Sequence, residues 1–152
     1  MCIIIQVRDV AGMRKRLMQA SLVLMALCIY LQWGRGVSVR NTISSSWDGK
    51  RTEHITIVAN KLYIGDKEAF AGEMIETCIN NEFRDVRFSY DMGYPAEITM
   101  DIYTNETARQ LGVRCCEVRY AQPEEDRYRY NVKDDRERFV MTVKWLPAAS
   151  GV

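Results

Sequence analysis

Tyr90, Asp91, Tyr94 and Glu97 crowd into one short stretch, "SYDMGYPAE". Carboxylates can move protons or hold calcium, and phenols can stack and hydrogen-bond. Together they could line a small-ligand or hydrolytic pocket. Asp101 lies close behind in sequence. No D-x-D-x-D-G calcium loop is present, and Asp, Gly and Pro also serve any tight turn. Cys115 and Cys116 are adjacent and raise thiol-redox chemistry, which needs an exposed thiol of lowered pKa. On a strand, neighbours point to opposite faces, and a bond between them would need a strained ring. A link from Cys78 to either is the other disulfide option; small buried thiols are the simpler reading.

The chain has one histidine, His54, with no sequence neighbour that completes a triad, so it reads as a surface strand residue. Its five cysteines form no C-x-x-C pair, so no metal or cofactor is expected. Arg127, Tyr128, Arg129 and Tyr130 interleave bases and aromatics, as single-strand binders do. Here acids surround them, and period two separates tyrosines from arginines, which suits a solvated edge strand. Asn105-Glu106-Thr107 is a glycosylation sequon. No glycine-rich phosphate loop, G-x-S-x-G or H-E-x-x-H is present.

Charge is distributed unevenly. Of 152 residues, 27% are charged and the net charge is +1. Residues 1–40 hold six Lys/Arg against the single acid Asp9, leaving 15 Lys/Arg against 19 acids in residues 41–152. An acidic body gains little from phosphate backbones, so no nucleic-acid partner is expected.

Residues 17–33, "LMQASLVLMALCIYLQW", carry no charge. As a helix this run is about 25 Å long, within the range that spans a bilayer. Arg14-Lys15-Arg16 precede it, Tyr30 and Trp33 sit near its far end, and Gly34 and Gly36 follow. No A-x-A cleavage pattern follows it, and Leu27 rather than a small residue precedes Cys28. The run therefore reads as an uncleaved anchor in the lipid bilayer; a cleaved signal and a soluble core helix are the alternatives. Met13, ahead of the basic cluster, would also serve as a start. The positive-inside rule sets residues 1–16 in the cytoplasm and the body outside, a single-pass cell-membrane protein.

The elements that must position the candidates follow. Residues 34–53 read as a Ser/Thr-rich linker. The domain runs over 54–147, and 148–152 form a tail. "HITIV" and "LYI" suggest a hairpin turning at Asn60-Lys61. Phe70, Ala71, Met74, Ile75, Cys78 and Ile79 form one helical face, with Asp66 as N-cap and Asn80-Asn81 as the end. "RDVRFSYDM", "EITMDIYT", "VRCCEVRYA" and "RFVMTVKWL" read as strands, "RYRYNV" as a further candidate, and "NETARQLG" as a connection with one helical turn. In the last strand Phe139, Met141, Val143 and Trp145 share a face. The fold class is α+β: a transmembrane helix, then one amphipathic helix on a mainly antiparallel sheet.

"ITIVANKLYIGDKEAF" is similar in cadence to the periplasmic domain of the biopolymer-transport ExbD/TolR family, where strand, turn and strand lead into a helix. That family carries a membrane-helix aspartate for proton coupling, and residues 17–33 contain none. The function is not carried over. The expected function is a non-enzymatic, membrane-tethered interaction module, with another envelope protein as its partner. The alternatives are a ligand-binding or hydrolytic domain built on "SYDMGYP", and a redox protein using Cys115 and Cys116.

Overall fold

The computed structural model describes residues 3–48, 50–91, 93–126 and 129–145, with side chains from residue 12 onward. It divides into two compact units, Met1–Arg35 and Gly36–Val152.

The first unit is helix α1, Ile3–Trp33. It contains the apolar run at 17–33 and extends it: residues 3–16, expected as a short segment ahead of the anchor, continue the same helix. Gly12–Trp33 is long and apolar enough to cross a membrane, with a mean hydropathy of 1.3. Its side chains are exposed except for half-buried Leu31 and Gln32. That suits a membrane anchor or a signal sequence; the core helix of a soluble domain would bury its apolar side chains. At the helix end Gly34 N donates to Tyr30 O at 2.8 Å. A Cβ on Gly34 would lie 2.5 Å from the Tyr30 ring, so this exit needs glycine.

The second unit is α+β. Five strands stand in the order β1-β2-β3-β4-β5: Ser38–Trp47, Lys50–Val58, Glu97–Tyr103, Cys116–Ala121 and Val140–Trp145. β2 and β3 are parallel, and the other three pairings are antiparallel. A parallel pair needs a crossover, here helix α2, Lys67–Ile79. A short helix α3, Glu106–Gln110, joins β3 to β4.

α2 forms where its stripe predicts. Asp66 accepts from Ala69 N at 2.8 Å, satisfying one of the first-turn N–H groups. Phe70, Ala71, Met74, Ile75, Cys78 and Ile79 are its buried residues. They meet Ile55, Ile57, Ile98, Met100, Ile102 and Val118 from the sheet, all with no exposed area. Each such side chain contributes about 1.5–3 kcal/mol by leaving water.

Four sequence expectations are corrected. First, residues 38–53 are not a linker but β1 and the start of β2, an antiparallel hairpin. A bulge between Val39 and Asn41 shifts the register. Val37 and Val39 pack on the core, whereas Asn41 and Ile43 pair with Thr56 and His54 on the other face. Second, "LYI" is no returning strand. Asn60 turns the chain at a φ of 55° and its amide donates to Gly36 O (2.8 Å) and Ser38 Oγ (3.0 Å). The strand-turn-strand implied by the family resemblance is absent with it.

Third, residues 86–90 form no strand. Val86, Phe88 and Tyr90 do pack on the core, as their alternation predicts. Their backbone partner is a side chain: Asn81 accepts from Phe88 N at 2.8 Å and donates to Phe88 O at 3.0 Å. Fourth, of "RYRYNV", Arg127 and Tyr128 lie outside the described residues, and the rest form no strand. Gln122 serves Tyr130 as Asn81 serves Phe88, donating to its O at 2.9 Å and accepting from its N at 3.2 Å. The tail at 148–152 also lies outside the described residues.

Candidate functional site

β2 carries the chemistry of the sheet, because its successive residues serve opposite faces. Arg51, Glu53, Ile55 and Ile57 face α2. Thr52, His54 and Thr56 face the side opposite α2.

On the covered side, Glu53 is 2% exposed. A buried carboxylate needs partners. Ser44 Oγ of β1 donates to both its oxygens, at 2.9 and 2.7 Å, and Arg51 Nε lies 2.5 Å from Oε1. That Nε is buried and its N–H is not aligned with an acceptor, so the contact is an ion pair. Arg51 also donates to Ser44 Oγ at 3.1 Å and to Ser89 O. One guanidinium thus ties β1, β2 and the segment after α2.

Tyr90 stands beside this group. Its hydroxyl donates to Cys78 O at 2.7 Å, and its ring lies 4.5 Å from that of Tyr94. Burial, with Cys78 second, pushes the Tyr90 hydroxyl up from its usual value, so it stays a donor. Burial, then the Glu53 carboxylate, pushes the Cys78 thiol up to about 12.

The structure therefore brings Tyr90 and Tyr94 together but not the whole proposed set. Asp91 is exposed and accepts from Ser89 Oγ at 2.8 Å. Glu97 points to the other face of the sheet, where Arg119 Nε donates to it at 2.6 Å. Tyr94 accepts from Lys133 Nζ at 2.6 Å.

On the open side, His54 Nε2 lies 3.2 Å from Asp101 Oδ2, and Arg114 donates to Asp101 Oδ1 at 2.7 Å. Among the described residues the hydrogen-bond partner of His54 is Asp101. Thr52, Thr56 and Thr99 lie around it, with Arg119 and Glu117 one strand further on. At the β1 edge, Ile43 and Trp47 project outward, Trp47 80% exposed. Sequence reasoning missed both charged groups. They depend on the β1–β2 register and on the parallel β2–β3 register, and local spacing encodes neither.

A third feature is a cavity of ≈ 240 Å³ beyond the carboxyl ends of β2 and β3, lined by Leu62, Tyr63, Ile64, Lys67, Arg114 and Cys115 among others. Open α/β sheets place ligands at such switch points, in pockets of about 300 Å³ upward. Both cations here have partners: Lys67 Nζ lies 4.4 Å from the Trp145 ring centre, and Arg114 holds Asp101. Cys115 is half-buried, and Cys116 is buried in the core. Both are free thiols, as is Cys78. Burial, then Cys115, pushes the Cys116 thiol up to about 12, the reverse of what redox reactivity requires. Asn105 of the sequon caps α3, accepting from Ala108 N at 2.9 Å. Among the described residues no cluster of His, Cys, Asp or Glu could hold a metal ion.

Comparison with known proteins finds no matching family model, no matching curated protein and no matching solved structure.

Proposed function

We propose that the chain is a non-enzymatic interaction module, held in the cell membrane by α1, with its α+β body outside the cytoplasm. The observation that carries this is the sheet face that α2 leaves uncovered. It is a broad polar surface bounded at the β1 edge by exposed Ile43 and Trp47. Exposed tryptophans flanked by polar groups are the side chains that anchor protein interfaces. The basic Arg14-Lys15-Arg16 before the apolar run favours an exported body. A tether raises the local concentration of such a surface, so a weak contact with another envelope protein is enough.

The test is site-specific photocrosslinking in native membranes. A crosslinker at Trp47 or Thr142 should give one defined adduct. At Glu73, exposed on α2 on the opposite side of the sheet, it should give none. Equal adducts at all three positions, or none above background, would end this proposal. A reporter active only outside the cytoplasm, fused to the C-terminus, checks the orientation.

A further inference from the structure

The registers define two ends of the sheet. Ser38, Val58, Cys116 and Trp145 lie at one end, and the β1–β2 turn with the connections 80–96 and 122–139 lies at the other. Only residues 34–37 separate Trp33 from Ser38, a reach of about 18 Å fully extended. That reach is the upper bound on the distance from Trp33 to Ser38.

That end differs from the rest of the unit. Among the described residues, seven large apolar side chains of the sheet unit are exposed, and four belong to this end: Leu62 (55%), Tyr63 (67%), Leu111 (73%) and Trp145 (42%). They come from three separate segments: the connection after β2, the one after β3, and the close of β5. The segments entering this end, 34–37, 59–66 and 104–115, hold four bases (Arg35, Lys61, Arg109, Arg114) against Asp66 and Glu106. The turn and connections at the far end hold ten acids against seven bases.

We infer that the Ser38 end of the sheet rests in the headgroup layer of the bilayer, with Leu62, Tyr63, Leu111 and Trp145 at the level of the lipid interface. Aromatic and aliphatic side chains beside bases match that layer, where amphipathic rings and cations both find partners. The far end, with its excess of acids, points away from the bilayer in this arrangement. This rests on the anchored reading of α1.

The three tryptophans report the arrangement: Trp33 in α1, Trp47 at the far end and Trp145 at the inferred membrane end. Three full-length variants would each keep one and carry phenylalanine at the others. They would be placed in nanodiscs containing anionic lipid and lipid with a nitroxide on the headgroup. Trp33 and Trp145 should lose most of their emission, and Trp47 should keep it. Leu62→Glu with Leu111→Glu, in the chain retaining Trp145, should restore much of that emission. Quenching of Trp33 without Trp145, equal quenching of Trp47 and Trp145, or indifference to the two glutamates would each overturn the inference while leaving the anchor in place. Failure of Trp33 itself to be quenched would overturn the anchor and the inference together.

Discussion

Glu53 and His54 are neighbours in sequence, and each joins an acid to a base, yet they belong to different environments. Glu53 is sealed beneath the segment that follows α2, its side chain without exposed area and its partner Arg51 17% exposed. His54 is 41% exposed and meets Asp101 on the open face. Charges near water interact weakly and are screened, whereas a buried carboxylate that loses its partner keeps the full cost of desolvation. A one-residue step along β2 therefore separates a group on which the fold depends from one it can spare. The open face is correspondingly free to change.

The strongest way to break this contrast is Arg51→Leu. It leaves Glu53 buried without its cation and frees the bond to Ser89 O. The expected loss is about 3 kcal/mol, read as a fall in the urea midpoint. If the midpoint barely moves, Arg51 is not the partner on which buried Glu53 depends.

Alkaline pH acts on the covered face. Cys78 and Cys116 hold their protons to about 12 when folded, against a usual value near 9. Above pH 9 the unfolded chain releases those protons and the folded chain does not, so the unfolded state binds fewer and stability falls. The contribution of these thiols is complete below pH 9 and declines between pH 9 and 12, by at most about 1.4 kcal/mol per pH unit for each. Urea midpoints at pH 8 and pH 10.5 test this, and Cys116→Ala should flatten the slope.

The smallest effect belongs to the open face. His54→Ala should change stability by less than about 1 kcal/mol, within the range of exposed ion pairs. A loss as large as that of Arg51→Leu would show that the two faces carry equal weight.

α2 and β3 were legible because their signals are local. The stripe from Phe70 to Ile79 has an Asp66 cap, and Ile98, Met100 and Ile102 alternate with Thr99 and Asp101. β1 was not legible, because the bulge after Val39 breaks the alternation and its outer residues, through Trp47, are exposed on both faces. Residues 86–90 show the limit of periodicity: it reports which side chains are buried, and it cannot tell a neighbouring strand from an asparagine amide. The candidate chemistry divides in the same way. Tyr90 and Tyr94 meet because a tight turn joins them. Glu97 leaves that group because it begins a strand and takes the face that Ile98 does not. Cys116 looked like half of a reactive pair, and its side chain is buried in the core while Cys115 is half-buried. His54 and Asp101 are 47 residues apart and meet only when parallel strands pair.

That parallel pairing also orders the assembly of the body. β1 and β2 are joined by a short turn and can zip as soon as both exist, and β4 pairs with each strand that flanks it in sequence. Both events close small loops. Setting β2 beside β3 brings Thr52 to Glu97 across the whole crossover, α2 included. That pairing closes the longest loop between neighbouring strands of the sheet, so it carries the largest loop-closure cost. A chain emerging from its N-terminus would present the finished hairpin, with its open edge at β2, before the strand that covers that edge has been made. The interval between the two is the period in which this protein is most exposed to mispairing with another copy of itself.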